Sequence, residues 1–457
     1  MRYQKVYHDL DSIFRAALER VDPHTMVKER LTVENETLII QDAGERLFFD
    51  LGEYKRLLVI GAGKATAKMA RAVEQILGER ISEGAIAVKR GHTIPLERIT
   101  VIEAGHPVPD SQSVAAASLV EKLARSADQG TLVINLISGG GSALLVKPFH
   151  YEKGTRSVAI TLEEIQQTTG ALLSCGATID EINCIRKHLS GIKGGRLAQL
   201  IFPATVINLI LSDVVGDRLD TIASGLTTHD DTTYQDAINI VERYEILERI
   251  PQSVLLVLTM GANGELPETP KKGDPVFERT HNILIGTNYL ALMGARSQAK
   301  QLGYNALVLS SQITGEAREI AKLLLGICKD VLKHELLAPR PACIIAGGET
   351  TVTLRGSGKG GRNTELALSF LQGIARDRKG AEGIYLLSAS TDGNDGPTDA
   401  AGAYASRELL EKGARHLDID DCLRNNDSYT YFDTIGGLYK TGPTNTNVCD
   451  IQLVVVV

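Results

Sequence analysis

The sequence predicts an α/β protein, because short apolar runs alternate with helix-like segments along most of its 457 residues. Runs of strand length stand at 57–60, 85–88, 132–137 and 206–211, and helix-like segments such as 65–77 and 111–127 separate them. This alternation is typical of parallel sheets with helices on both faces. The stretch 260–272 concentrates Gly, Pro and charge, and we interpret it as a linker. We therefore expect two α/β domains, over 1–258 and 275–457, facing each other across a cleft.

The remaining elements follow from hydrophobic spacing. Residues 5–31 predict an opening helix, because apolar side chains recur there at helical intervals. Beyond the linker, strands and helices alternate again at 283–286, 289–302, 306–309, 315–335, 343–346, 384–389 and 451–457.

Composition and charge limit the function. The chain is 43% hydrophobic and 23% charged, with a formal net charge of -7, which argues against a general nucleic-acid binder. No apolar stretch reaches the length of about 18 residues that a membrane span needs, and the N-terminus has no signal-peptide core. We therefore expect a cytoplasmic protein with small-molecule partners and no membrane contact, and a homo-oligomer is left open. The six cysteines are scattered without a close pair, which argues against a zinc site or a disulfide framework.

The first glycine-rich turn, Ile60-Gly61-Ala62-Gly63-Lys64-Ala65, joins a predicted strand to a helix. A Walker A loop requires glycine where Leu58 stands and Ser or Thr where Ala65 stands. A dinucleotide fingerprint requires glycine where Thr66 stands, and the next strand ends in Lys89-Arg90 where an acid is needed, so an NAD site is disfavoured. Lys64 would then lie at a helix N-terminus and bind a carboxylate or phosphate, unless it is a solvated surface lysine.

A second glycine turn, Ser138-Gly139-Gly140-Gly141-Ser142, follows the apolar run 132–137. Three glycines at the end of a strand can wrap a phosphate chain with main-chain donors, although a flexible loop also explains them. The segment 183–199 is basic, with Arg186, Lys187, His188, Lys193 and Arg196. Helical spacing brings Lys193 close to Arg196, and a solvated basic helix face is the alternative.

Two acids follow predicted strands. Asp213 comes after the run 206–211, where a phosphoryl-transfer enzyme would hold Mg²⁺, although Asp213 could instead cap a helix. Glu349 follows a sharp turn predicted at Gly347-Gly348, at the carboxyl end of the strand 342–346, where ligands bind in open α/β sheets.

After a second predicted strand, 350–354, the run Gly356–Gly361 leads to Arg362 at a predicted helix start. The glycines let main-chain N–H groups approach an anion, so we interpret the run as a phosphate site, with a flexible hairpin as the alternative. The loop 390–399 carries further acids but is not an EF-hand, because Pro397 replaces the required glycine. A catalytic or metal-linked loop and a self-bonded turn are both open there.

Together these segments resemble the glycerate 2-kinase family, also called type II glycerate kinases, whose C-terminal domain carries the MOFRL name. The matching segments are IGAGKA at 60–65, EAGHPVPD at 103–110, SGGGSALL at 138–145, RKHLSGIKGGRLA at 186–198, LSDVVGD at 211–217, GGET with GKGGRN at 347–363, STDGNDGPTDAAGA at 390–403 and TGPTNTNV at 441–448. Any one of them is weak, but eight in order are specific.

The resemblance implies an N-terminal Rossmann-like domain, a smaller C-terminal α/β domain, and transfer of the ATP γ-phosphoryl to the 2-hydroxyl of D-glycerate, giving 2-phosphoglycerate and ADP. By similarity, Lys64 and Arg362 are the catalytic cations, and Asp213 and Glu349 are the catalytic acids. Asp213 or Glu349 would hold Mg²⁺ or orient the attacking hydroxyl. We expect Lys193 to join Lys64 and Arg362 in binding the substrate, and Ser138 to Ser142 to bind the ATP phosphates. Phosphoryl transfer spreads charge over equatorial oxygens, so it depends on such cations and on Mg²⁺.

Three positions depart from the family pattern. Leu226 stands where Pro is usual, Thr364 where Gln is usual, and Asn445 where Gly is usual. Two other functions stay open. An NAD(P)H-dependent hydroxypyruvate reductase would need a nicotinamide site, for which the basic strand end at Lys89-Arg90 leaves NADPH conceivable. A catalytically silent sensor of sugar acids or nucleotides would keep the charged residues without turnover.

Overall fold

The computed structural model describes residues 2–42, 44–154, 156–413 and 417–457. The chain forms two compact units that are not contiguous in sequence. The larger unit consists of Pro23–Ser212 and Asp217–Ile285, and the smaller unit consists of Met1–Asp22, Asp213–Gly216 and Gly286–Val457. The stretch 260–272, predicted as a linker, lies inside the larger unit. Among the described residues, no helix combines the length and apolar character that a membrane crossing requires.

The helices of both units, numbered along the chain, are α1 Arg2–Arg20, α2 Pro23–Arg30, α3 Thr66–Leu77, α4 Ser111–Arg125, α5 Gly141–Leu144, α6 Leu162–Ser174, α7 Ile179–His188, α8 Arg196–Ile201, α9 Tyr234–Arg243, α10 Gln252–Ala262, α11 Asn288–Gln301, α12 Ala317–His334, α13 Arg362–Arg376, α14 Arg407–Gly413, α15 Ile419–Arg424 and α16 Ser428–Ile435. The strands are β1 Leu31–Glu34, β2 Thr37–Asp42, β3 Glu45–Asp50, β4 Arg56–Ala62, β5 Glu83–Lys89, β6 Ile99–Ala104, β7 Thr131–Ile137, β8 His150–Lys153, β9 Arg156–Ala159, β10 Thr205–Leu211, β11 Thr280–Gly286, β12 Asn305–Glu316, β13 Ala342–Thr351, β14 Ile384–Ser390, β15 Gly402–Ser406, β16 Leu438–Tyr439 and β17 Asp450–Val456.

The larger unit is built on a six-stranded sheet with the order β6-β5-β4-β7-β10-β11. β4 pairs in parallel with both β5 and β7, and β5–β6 and β7–β10 are parallel as well. The chain therefore starts near the centre with β4, builds outward to β6, and returns to the other side of β4 with β7. This reversal is the switch point of a doubly wound sheet, and ligands bind at the carboxyl ends of the strands that flank it. The predicted parallel sheet is confirmed for this unit.

The smaller unit has a second six-stranded sheet, with the order β12-β13-β17-β14-β15-β16. β12 and β13 are parallel, but β17 is antiparallel to both β13 and β14, and β15 is antiparallel to β14 and β16. This unit is α/β as expected, and its sheet is mixed, with the parallel pair of β12 and β13 and antiparallel pairs elsewhere. The apolar run 451–457 indicates a strand that is buried on both faces, but it does not indicate whether that strand is parallel or antiparallel to its neighbours.

β13 runs without a break from Ala342 to Thr351, so the predicted sharp turn at Gly347-Gly348 and the separate strand at 350–354 are wrong. The two glycines permit close packing within the sheet and against α11. A Cβ on Gly348, whose φ is +145°, would lie 2.1 Å from the main-chain oxygen of Ile313, and a Cβ on Gly347 would lie 2.1 Å from Asn288 Oδ1. Glu349 consequently lies within the strand, near its carboxyl end.

The opening helix predicted over 5–31 is in fact two helices, α1 and α2, which belong to different units. Pro23 is the first residue of α2, where its missing N–H is tolerated and its ring disfavours helical backbone in the preceding residue. The hydrophobic spacing continues across this break, so it predicted a single helix. α1 packs on α11 of the smaller unit, and α2 packs on α3 of the larger unit.

Candidate functional site

In the larger unit, the turns after β4 and β7 interlock. Gly63 has a φ of +147°, and a Cβ there would lie 2.0 Å from Ser138 Oγ. Ser138 is buried, and its hydroxyl accepts a hydrogen bond from the Ala65 N–H at 3.1 Å and lies 3.0 Å from Thr66 Oγ1. The side chain of Ser138 therefore fixes the start of α3. Only the main chain of Ser138 is left to contact a ligand.

Lys64 is a neighbour of the second glycine turn. Its N–H donates to Gly139 O at 2.9 Å. A Cβ on Gly140, whose φ is +85°, would lie 3.5 Å from Lys64 Cγ and 2.9 Å from His106 Cδ2, so only glycine fits there. Within the described ranges, the N–H groups of Gly139 and Gly140 have no protein acceptor. Two main-chain donors thus lie beside Lys64, an arrangement that can bind an anion.

A strained turn, Ala223 to Gly225, supports Ser142 and was missed by sequence reasoning. Ala223, Ser224 and Gly225 have φ values of +50°, +57° and +64°, and such a run of left-handed residues is costly for the two that are not glycine. Ser224 Oγ lies 2.8 Å from Ser142 Oγ and donates to Asn183 Oδ1 at 3.0 Å. In the sequence, this turn was indicated only by the Ser-Gly pair before Leu226.

Lys193 is buried behind the same turn. Its Nζ donates to Ser142 O at 2.8 Å and to Leu145 O at 3.0 Å. Burial, with a smaller contribution from the charge of Arg186, lowers the pKa of Lys193 to about 7. These bonds make Lys193 a support of the turn, and its predicted contact with substrate stays a prediction.

In the smaller unit, Arg362 is the first residue of α13 and is held by two carboxylates. Its Nε donates to Asp450 Oδ2 at 2.5 Å and its Nη2 to Asp450 Oδ1 at 3.0 Å, while Nη1 donates to Glu349 Oε1. Burial opposes the charge of Arg362, but the acids Asp450, Glu349 and Asp395 together outweigh burial, so the pKa of the guanidinium is raised. A bidentate pair fixes the direction of a guanidinium as well as its position. Asp450 was missed from sequence, where it appears only as a single acid before an apolar run.

Glu349 and Asp213 lie close to this pair. Burial raises the pKa of Glu349, Arg362 opposes this rise, and the charges of Asp450 and Asp213 add to it. The Cys449 thiol links the two predicted acids, since its Sγ donates to Asp213 O at 3.1 Å and lies 4.0 Å from Glu349 Oε2. The part of the chain that the structure describes has no cluster of three or more His, Cys, Asp or Glu suited to a metal. Two carboxylates still suit Mg²⁺, which takes most of its ligands from phosphates and water.

The glycine run Gly356–Gly361 binds protein groups. The N–H groups of Gly356 and Ser357 donate to the side chains of Asn426 and Asn425, and that of Gly358 donates to Asn425 O. The N–H of Lys359 donates to Asp427 Oδ1, and that of Gly361 to Thr364 Oγ1. The interpretation of these donors as a phosphate site is therefore wrong, because the turn at 425–427 occupies most of them.

The acidic loop after β14 is bonded within the protein. The Asp395 carboxylate, which is buried, accepts from the N–H groups of Asn363 and Thr364 at 2.9 and 2.8 Å and so caps α13. Burial raises the pKa of Asp395 to about 6, although these hydrogen bonds oppose the rise. Asp392 accepts from Ser390 Oγ and Asn394 N, and Asp399 pairs with Lys440. These contacts favour the self-bonded turn over a metal-linked loop.

The basic end of β5, which was considered as a site for the 2′-phosphate of NADPH, is already bonded to protein carboxylates. Arg90 Nη2 lies 2.5 Å from Asp110 Oδ2, and the Gly91 N–H donates to Glu103 Oε1. Asp110 at the same time caps α4. A 2′-phosphate at this strand end would have to displace the carboxylate of Asp110 from Arg90.

The predicted site residues thus fall into two groups, one in each unit. Lys64, Lys193 and the turn from Ser138 to Ser142 lie together in the larger unit, around the carboxyl ends of β4 and β7. Asp213, Glu349 and Arg362 lie together in the smaller unit, around Asp450 and Cys449.

Comparisons with known proteins match most of the chain. Residues 9–259 match a family described as a domain of unknown function (DUF4147), and residues 342–450 match the MOFRL family. A glycerate 2-kinase of Pyrococcus horikoshii is 40% identical over 446 residues, which are 96% of this chain and 95% of that protein. A putative hydroxypyruvate reductase of Agrobacterium vitis is 41% identical over 404 residues, 88% of this chain and 87% of that protein. The crystal structure of a glycerate kinase from Thermotoga maritima has a TM-score of 0.83 at 37% identity, covering 99% of this chain and 100% of that one.

Proposed function

This chain belongs to the glycerate kinase family, and from that premise we propose that it transfers the γ-phosphoryl group of ATP to the 2-hydroxyl of D-glycerate, giving 2-phosphoglycerate and ADP. Kinases of this kind need an anion-binding turn for the phosphates, cations for the charge that develops on the transferred group, and a bound Mg²⁺. The described parts of the chain offer candidate residues for each of these needs.

The observation that carries the proposal is the position of the two glycine turns. They follow β4 and β7, the two strands that flank the switch point of the larger sheet. The free N–H groups of Gly139 and Gly140 stand beside Lys64 there. This is where an open α/β sheet binds a phosphate-bearing ligand, so we assign this turn to the ATP phosphates.

The two cations have separate roles in the proposal. Lys64 supplies a point charge at the turn before α3, suited to a phosphoryl oxygen. Arg362 is a fixed guanidinium, held from behind by Asp450, and its planar fork suits a carboxylate or a phosphoryl group. Both lower the barrier by stabilising negative charge that grows in the transition state.

Asp213 and Glu349 are the residues that would hold Mg²⁺. Glu349 Oε1 is bonded to Arg362, so Oε2 is the oxygen left for a cation or for the proton of the attacking hydroxyl. When bound, Mg²⁺ neutralises charge on the phosphate oxygens. The raised pKa of Glu349 is consistent with a carboxylate that can accept a proton from the substrate.

Reduction of hydroxypyruvate is the second candidate, because one close relative carries that name. Two features oppose it. The turn after β4 lacks the third glycine of a dinucleotide site, since Thr66 stands there, and Arg90 is already paired with Asp110.

A steady-state assay with purified protein separates the candidates. Mg²⁺-ATP and D-glycerate should give 2-phosphoglycerate, resolved from 3-phosphoglycerate by a coupled enolase assay without phosphoglycerate mutase. NADH or NADPH with hydroxypyruvate should show no turnover. Reductase activity alone would overturn the proposal, and 3-phosphoglycerate as the main product would correct its regiochemistry. Ligand binding with no turnover in either assay would favour the sensor.

A further inference from the structure

We propose that Arg186 is a further anion-binding residue of the larger unit, one that contacts an oxyanion held at the glycine turn Ser138 to Ser142. The oxyanion is either a phosphate group of the nucleotide or the carboxylate of the hydroxy acid. The inference rests on the proposed function for the identity of these ligands, and on the position and missing partner of Arg186 for the existence of the site.

Arg186 differs from the other cations of its segment. Lys187 lies 3.2 Å from Asp230 Oδ1, and His188 lies 2.9 Å from Glu268 Oε1. Lys193 donates to two carbonyl oxygens, and Arg196 donates to Lys187 O and Ser190 O, each at 2.8 Å. The Arg186 guanidinium has no hydrogen bond, ion pair or ring contact with any residue in the described ranges.

Arg186 is not a solvated surface residue either. Its side chain is partly buried on α7, and burial is the one cause that lowers its pKa. The last turn of a helix favours a cation modestly, but it supplies no hydrogen bond to this guanidinium. A charge withdrawn from water without a partner is destabilising, so the fold itself gives no reason for an arginine here. An anionic ligand would give one.

Two observations place Arg186 near the glycine turn: a chain of hydrogen bonds that starts on its own helix, and the effect of its charge on Lys193. Asn183 lies three residues earlier on the same helix, where side chains share a face, and it is joined through Ser224 to Ser142. Lys193, which donates to Ser142 O, has its pKa lowered by the charge of Arg186. Ser224, which has a positive φ, joins Asn183 to Ser142, and this link is a reason for its strained conformation.

The chemistry of guanidinium fits this position. Its planar fork of N–H donors binds a phosphate or carboxylate through two parallel hydrogen bonds. The Gly139 and Gly140 N–H groups and Lys64 supply donors from the turn, and Arg186 would supply them from α7. Lys193 cannot take this role with the same ease, because two of its three donors are committed to carbonyl oxygens.

The test uses the full chain with Arg186→Met and Arg186→Lys, and with Arg125→Met as a control at an exposed arginine of α4. We expect Arg186→Met to lower kcat/KM by about tenfold to a hundredfold, with partial recovery in Arg186→Lys. The melting temperature should stay the same or rise, because an unpaired charge is removed. A raised KM for ATP would identify the phosphate as the ligand, and a raised KM for D-glycerate would identify the carboxylate.

A kcat/KM within about threefold of wild type would overturn the inference, as would a fall matched by a lower melting temperature, which indicates a structural role. Failure of the proposed function is a separate result, seen when the wild type forms no phosphoglycerate. Calorimetric titration with ADP, inorganic phosphate and D-glycerate then decides the matter. Weaker binding to Arg186→Met than to wild type supports the site, and equal binding, or no binding to wild type, overturns it.

Discussion

At the scale of single residues, the electrostatics of Arg362 depend on the unequal exposure of its two acids. The Asp450 side chain is fully buried, while the Glu349 side chain is 40% exposed. The buried acid holds two nitrogens of the guanidinium, and the half-buried acid accepts a single hydrogen bond from the third. An incoming anion can therefore compete with Glu349 for Nη1 without disturbing the bond to Asp450. Asp450 therefore positions Arg362.

Removing either proposed cation should abolish most of the activity. We expect Lys64→Ala and Arg362→Ala each to lower kcat/KM for ATP-dependent glycerate phosphorylation by about a hundredfold or more, because charge in the transition state loses a donor. Arg376→Ala, at the exposed far end of the same helix α13, is the matched control and should leave kcat/KM unchanged. A value within threefold of wild type for either site variant would refute the scheme.

Lys193 should make stability depend on pH. Its pKa of about 7 in the native state lies below the ordinary lysine value of 10.5, so above pH 7 the unfolded chain binds more protons than the native one. The free energy of unfolding should then rise with pH, by at most about 1.4 kcal/mol per unit, until the unfolded lysine loses its proton as well. Urea unfolding between pH 7 and pH 9 should show a flatter dependence for Lys193→Met. The exposed Lys55→Met is the control, and an unchanged slope in Lys193→Met would contradict the buried-lysine account.

At the scale of secondary-structure elements, α13 is the helix that delivers Arg362, and its first turn has no cap from its own N-terminal residue. The N-cap position is Gly361, and the carboxylate of Asp395 caps the helix from a distant loop. The cap supports the site, because it fixes the backbone of the residue that carries the guanidinium. The loop that sequence alone left open between metal binding and self-bonding therefore acts through this helix.

Loss of the cap should weaken both fold and activity. Asp395→Ala leaves the N–H groups of Asn363 and Thr364 without an acceptor, and we expect a loss of about 2 kcal/mol in the free energy of unfolding. We also expect a lower kcat, because Arg362 stands at the start of the helix. Asp399→Ala, an exposed acid of the same loop, should change neither quantity. Equal stability of the two variants in urea would show that Asp395 is not the cap that the contacts indicate.

Local patterns predicted the elements well and their partners poorly. The strands β4, β7 and β10 and the glycine turns at Lys64 and Ser138 were visible, because burial and turn chemistry leave their mark on neighbouring residues. Asp450 and the Ser224 turn were not, since a single acid or a Ser-Gly pair has no meaning until distant segments meet. The run Gly356–Gly361 was misread for the same reason: its donors bind residues about 70 positions away.

At the scale of the whole molecule, the units are interleaved along the chain. α1 opens the sequence but packs with the C-terminal part, and Asp213–Gly216 also belongs to the smaller unit although it follows β10 of the larger one. Leu10, Ile13 and Phe14 of α1 are fully buried. The Tyr304 hydroxyl donates to Asp9 Oδ2 at 2.6 Å, and a Cβ on Gly294 of α11 would lie 2.6 Å from Arg20 Cβ, so the two helices approach closely. The smaller unit therefore depends on residues that a cut at the predicted linker would remove.

A change in α1 should accordingly destabilise the opposite end of the sequence. Phe14 is fully buried and its ring packs edge-on against Tyr439 at 5.4 Å, so Phe14→Ala should cost about 3 to 5 kcal/mol. Hydrogen exchange should speed up in α11, β14 and β17 before it changes in β4 and β7, because α1 packs on the former group. Phe48→Ala, at a phenylalanine of β3 that is 62% exposed, should leave both regions unaffected. Faster exchange in β4 and β7, with α11 unchanged, would mean that α1 stabilises the larger unit instead. The position of α1 in the sequence would then predict which unit it stabilises better than its contacts do.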